Sequence, residues 1–218
     1  MTTYYNKTER TKVRRRSGRG NYRRSTIHAI LDEGIVGHVG VVGDGGQPFV
    51  IPVLYARDGD RVYLHGSPLS RLLSTLAEGV PMCLTVTLMD GLVLARSAFH
   101  HSMNYRSVVI LGAGEKIEDP ERKDRALRAL VEHIVPGRSD DARGPSHKEL
   151  KATEVIELEI DEASAKIRTG PPGDASADMD LPVWAGVVPI TTSFGEPVAD
   201  VACSMPAPEY VRAYARPA

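Results

Sequence analysis

The chain has 218 residues, of which 42% are hydrophobic and 25% charged, with a formal net charge of -1. This is the composition of a globular domain, and it excludes a disordered or membrane-like chain. No apolar run reaches the roughly 20 residues needed to cross a bilayer, no apolar stretch follows the basic residues at the start as a secretory leader requires, and Cys83 and Cys203 lack metal-ligand spacing. The expectation is one domain in the reducing cytoplasm, without a membrane partner.

The first 24 residues are crowded with Arg10, Lys12, Arg14, Arg15, Arg16, Arg19, Arg23 and Arg24. Such a stretch can bind nucleic acid or another polyanion. Gly18, Gly20 and the lack of aromatics other than Tyr22 fit a solvated arm wrapping a partner subunit, and residues 1–24 are read as that arm. Ser25 then caps a short helix carrying Ile27, Ile30 and Leu31, which Gly34 stops. Residues 35–42 and 48–56 read as strands joined by an Asp44-Gly45-Gly46 hairpin. Residues 61–65 form a third strand, and Leu69, Leu72, Leu73 and Leu76 recur at helical spacing directly after it.

Residues 82–88 and 92–98 read as a second hairpin turning at Asp90-Gly91, and residues 105–111 as a further strand. Asp119-Pro120 opens a helix with Ala126, Leu127, Leu130, Val131 and Ile134 on one face, ended by Pro136-Gly137. A polar loop over 138–148 leads to alternating strands at 155–160 and 165–168. The chain beyond Gly170 is rich in Pro, Gly and Asp and carries the lone Trp184. About seven strands in hairpin order, with helices only between hairpins, predict a mainly β (α+β) fold: a six- to seven-stranded antiparallel barrel flanked by short helices. The domain is placed at 25–190 and a C-terminal extension at 191–218.

The stretch Tyr63-Leu64-His65-Gly66-Ser67-Pro68-Leu69-Ser70-Arg71-Leu72 concentrates phosphate-binding chemistry where a strand meets a helix. Unpaired N–H groups at the helix start, the Ser67 and Ser70 hydroxyls and the Arg71 fork all donate to an anion, and Gly66 admits it to the backbone. The same residues also fit a capped helix with a surface arginine. His100-His101 invites a metal reading, but adjacent strand residues point to opposite faces and no acid partner is identifiable, so no metal is expected. Cys83 reads as a core thiol.

Together with Pro48-Phe49-Val50-Ile51-Pro52-Val53-Leu54-Tyr55, Asn104-Tyr105-Arg106-Ser107-Val108-Val109 and Trp184-Ala185-Gly186-Val187, that stretch resembles the flavin-nucleotide-binding split-barrel family related to pyridoxamine 5′-phosphate oxidase, over nearly the whole chain. The resemblance is closest to the nitroimidazole-reductase-like branch. It implies an FMN-dependent oxidoreductase, homodimeric, exchanging electrons with a small-molecule donor or acceptor. It places the flavin ring along Ile51, Pro52, Val53, Leu54 and Tyr55, and the phosphate at His65, Gly66, Ser67, Ser70, Arg71 and Leu72. Tyr105, Arg106 and Ser107 reach in from the second subunit, and Trp184 covers the ring or belongs to core or interface. His65 is a candidate proton donor, or else bonds the phosphate or a backbone carbonyl. The basic C-terminal motif that grips pyridoxal phosphate in the oxidase has no counterpart, so vitamin B6 oxidation is not expected. A non-catalytic split barrel holding flavin, deazaflavin or haem is the alternative, and nucleic-acid binding through the basic arm ranks last.

Overall fold

The computed structural model describes residues 3–216, apart from the Asp44 side chain. Among the described residues ten strands are formed: β1 (Gly20–Asn21), β2 (Val36–Val42), β3 (Pro48–Asp58), β4 (Arg61–Gly66), β5 (Pro81–Leu94), β6 (Ser102–Ala113), β7 (Glu115–Lys116), β8 (Glu154–Glu159), β9 (Glu162–Arg168) and β10 (Gly186–Pro189). All pairings are antiparallel, in the order β1-β9-β6-β5-β2-β3-β4-β8-β7, with β10 added alongside β5. Six α-helices accompany them: α1 (Arg24–Glu33), α2 (Arg71–Ala77), α3 (Pro120–Ile134), α4 (Arg138–Asp141), α5 (His147–Ala152) and α6 (Glu209–Arg212).

Alternation along the strands decides what lies inside the curled sheet. Val39, Tyr55, Leu64, Leu84, Val86, Ile110, Ile156 and Leu158 are almost fully buried, and Ile27, Ile30 and Leu31 of α1 and Leu72, Leu73 and Leu76 of α2 close on them. Each such aliphatic side chain contributes about 1.5–3 kcal/mol on burial. α3 packs outside the barrel, setting Ala126 and Leu130 against Ala56, Tyr63, Ile117 and Val155. Its start is as read from sequence: Pro120 follows the Asp119 cap, whose carboxylate accepts from the Arg122 N–H at 2.7 Å.

Several local expectations are corrected. The strand count is ten, because short pairings at β1, β7 and β10 carry no hydrophobic alternation that a sequence reading can detect. Asp90-Gly91 is a bulge, not a hairpin turn: β5 runs through it and pairs with β6 on both sides, as Met89↔Tyr105 and then Gly91↔Asn104. The true reversal is at residues 95–101, which include the single 3-10 turn Ala98–His100. The α1 cap is Arg23, with no side-chain cap bond, so Ser25 lies within the helix. The loop expected over 138–148 contains α4 and the start of α5. Cys83 is half-buried on the outer face of β5, opposite Gly40 and Leu111, and is not a core thiol.

The N-terminal segment lies against the chain's own barrel. Tyr5 is buried, its N–H donates to Tyr22 O at 2.9 Å, and β1 pairs with β9. At the other end, Arg216 donates to the Asp32, Glu33 and Gly34 carbonyls that end α1 and to His133 O near the end of α3. No described helix is long and apolar enough to cross a membrane.

Candidate functional site

The site is built on the split between β3 and β4. β3 pairs with β2 from Pro48 to Leu54, but its ladder with β4 begins only at Tyr55↔Leu64. The β4-facing edge of residues 48–54 therefore has no strand partner among the described residues, and its backbone groups are open to a ligand. Pro52, opposite His38, brings no N–H to either side. Ile51 and Val53 are half-buried at the barrel wall, while Leu54 faces outward. Tyr55 is fully buried, its hydroxyl donates to Leu31 O at 2.6 Å and its backbone pairs with β4, which leaves it no surface for a ligand.

Two cavities flank this edge. One, of about 390 Å³, lies between β3–β4 and α3; its apolar wall is Leu54, Leu127, Leu130, Val131 and Ile134, with Arg128 and Arg143 at the rim. His65 opens into it. The imidazole has no hydrogen-bond partner among the described residues, so both nitrogens are uncommitted; solvent reaches the ring, yet the apolar walls around it push its pKa below the ordinary value. Arg143 is held by Glu149 at 2.8 Å and Arg128 loosely by Asp124 at 3.7 Å.

The second cavity, of about 470 Å³, is lined by Phe49, Ile51, Arg71, Ser74 and Glu78 among others. The Arg71 guanidinium lies 4.0 Å over the Phe49 ring and has no carboxylate partner among the described residues. Ser70 is the cap residue of α2 but its hydroxyl makes no cap bond, whereas the Ser67 hydroxyl accepts from Leu69 N–H at 3.2 Å. Leu72 turns into the core, and Gly66 pairs with Glu154.

The expected second-subunit strand divides by face. Tyr105 and Ser107 look outward with Met89 and Thr87 of β5. Arg106 points the other way, donating to Glu33 at 2.7 Å and to Asp90 at 2.7 Å. These bonds hold its guanidinium well above the ordinary arginine pKa and commit its charge within the chain. Trp184 is 65% exposed, its ring resting over Gly186, where an added Cβ would come within 2.8 Å of it. The residues missed as a site are those of α3. Their apolar face was legible as packing, but Val131 remains 37% exposed, a surplus of apolar surface that lines the His65 cavity.

A family model for pyridoxamine 5′-phosphate oxidase matches residues 23–167, which span the barrel from the start of α1 to β9. The chain belongs to that family. The chain is similar to flavocytochrome Anf3 from Azotobacter vinelandii, with 43% identity and a TM-score of 0.88 over 94% of this chain and 95% of that one. The FAD and haem binding protein from Mycobacterium smegmatis is 39% identical, with a TM-score of 0.85 over 89% and 96% of the two chains. A proposed 5-nitroimidazole antibiotic resistance protein from Bacteroides thetaiotaomicron shares the fold at 24% identity and a TM-score of 0.59 over 68% and 86%. No curated protein matches the sequence.

Proposed function

We propose that this protein is a flavocytochrome-like oxidoreductase, holding a flavin nucleotide at the split edge of β3 and a haem in the α3 cavity. The observation that carries the reading is His65: an unpartnered imidazole opening into an apolar cavity beside a free strand edge is the side chain that would hold a haem iron there. The two relatives at 43% and 39% identity support it, since one is a flavocytochrome and the other binds FAD and haem. The same names favour FAD over the FMN expected from sequence.

The residues fit both groups. Leu54, Leu127, Leu130, Val131 and Ile134 exclude water from a macrocycle, and Arg128, weakly paired, is placed to take a propionate. Backbone groups of residues 51–53 would hold the isoalloxazine edge, and Arg71 would donate to the phosphate. When bound, the two groups would supply one- and two-electron redox chemistry between a donor and a small-molecule acceptor. The protein's part would be to fix their positions and to present His65 in apolar surroundings that favour its neutral form.

We also propose a homodimer closed through the outer sheet face. Val36 opposes Leu54, Gly40 opposes Val50, and Cys83 opposes Leu111 on that face, which the bulge at Asp90 continues to Leu92, Met103 and Val188. Val50 is 68% exposed there, and such a contiguous apolar face calls for a partner. Tyr105, Ser107 and Trp184 then reach the second subunit's cofactors.

The test is the absorption spectrum and native mass of the purified protein. Flavin bands with a Soret band and a doubled chain mass are expected, and His65→Ala should keep the flavin bands and lose the Soret band. A protein carrying neither chromophore refutes the reading, and an undiminished Soret band in His65→Ala refutes the ligand. Oxidoreductase activity predicts bleaching by dithionite or a nicotinamide, reversed on adding an acceptor.

A further inference from the structure

One third of the chain's 27 lysines and arginines fall between residues 7 and 24, where Glu9 is the single acid. The segment is fixed. Tyr5 and Tyr22 join through the backbone, Val13 N–H donates to the Tyr22 hydroxyl at 2.9 Å, and the Tyr5 hydroxyl donates to Asp60 at 2.6 Å. Four cations are neutralised, Arg10 by Glu162, Lys12 and Arg14 by Glu9, and Arg24 by Asp60.

Lys7, Arg15, Arg16, Arg19 and Arg23 have no carboxylate within reach among the described residues. Two of them are held in place by aromatic rings: Lys7 lies 5.3 Å over Tyr22, and Arg23 lies 5.3 Å over Tyr4. Arg16 takes a left-handed backbone at φ 55° that favours glycine. Behind them Arg168 is 8% exposed, bonds only Asn104 and the Gly170 and Pro171 carbonyls, and leaves Nε unpartnered. Arg19 is near enough to lower the Arg168 pKa further after burial has done so. Like charges gathered without acids on a rigid segment make a field that an anionic partner neutralises.

We propose that this face docks a small acidic electron-carrier protein. The inference rests on the flavocytochrome reading, which needs an electron donor. Each docking oxidises the carrier by one electron and reduces the bound cofactor by one, and two dockings with two protons from solvent complete the reduction of the flavin. A protein is favoured over nucleic acid because, among the described residues, this segment offers no free stacking platform: Tyr4 and Tyr22 are covered by cations and Tyr5 is buried. The segment is paired through β1 to β9, and β9 to β6, the strand of Tyr105 and Ser107.

Arg15→Glu/Arg16→Glu alters two exposed side chains and leaves the fixing contacts alone. With the holoprotein, calorimetry with oxidised flavodoxin and with oxidised plant-type ferredoxin should show salt-sensitive binding of at least one, weakened about tenfold or more in the variant. The rate of cofactor reduction by the reduced carrier should fall alongside, while dithionite reduction stays unchanged. Binding that is absent for both carriers, or equal in wild type and variant, overturns the proposal. So does tighter binding of a 20-base-pair DNA duplex that the variant loses. Dithionite bleaching reads the cofactor assignment independently of carrier binding, so the two failures are distinguishable.

Discussion

Replacing Arg71 with alanine separates a structural arginine from a phosphate-binding one. In the folded chain its guanidinium makes one notable contact, the stack over Phe49 at 4.0 Å, on an exposed surface and without a carboxylate. Such a contact is worth about 0.5–1 kcal/mol, so Arg71→Ala should lower Tm by only about 1–4 °C in a chain of this size. A charge-assisted bond to a flavin phosphate contributes about 1.5–3 kcal/mol, which raises the flavin Kd roughly 10- to 150-fold. Fluorescence titration of deflavinated protein with FAD, alongside thermal melts, measures both quantities. Arg71→Lys keeps the charge but loses the fork, and should fall between. An unchanged Kd with a Tm loss of the expected size would show that the phosphate is held elsewhere.

Arg106→Met should destabilise the fold by about 3 kcal/mol in urea unfolding, because Glu33 and Asp90 would face each other without their shared cation. A loss below about 1 kcal/mol would mean that the triad is loosely solvated. Burial depresses the pKa of His28, His65 and His133 below 6.5, so the folded state binds these protons less readily than the unfolded chain. Their stabilising contribution is complete above about pH 6.5 and declines as pH falls toward the folded values. Tm should drop between pH 7.5 and 5.5, less steeply in His133→Gln; parallel slopes would remove His133 from the account. Arg216→Ala, stripping the α1 and α3 carbonyls of their shared donor, should cost about 1–2 kcal/mol. Faster hydrogen exchange confined to the last turns of those helices would verify it, and unchanged protection there would contradict it.

Elements whose signal is local were legible. The Asp119-Pro120 helix start, the Ile27, Ile30 and Leu31 face of α1 and the β2–β3 hairpin each follow from a few adjacent residues. Asp90-Gly91 misled because the same dipeptide serves a turn or a bulge, and the choice depends on whether β6 continues alongside, which no residue near Asp90 records. Arg106 and Ser107 were read together, yet the alternation of β6 sends one to Glu33 and the other to the outer face. The His65 cavity needed α3, whose lining residues lie more than 60 positions away in sequence.

By itself, the sequence determined the antiparallel class and the family, and it raised the expectation of an anion between His65 and Arg71, because those rest on residue type and short spacing. Tertiary structure alone decided that β3 leaves an unpaired edge, that His65 opens into an apolar cavity and that the basic segment lies fixed on its own barrel. These depend on which distant surfaces meet. Such meetings are set by the summed burial of many side chains, which no local pattern encodes.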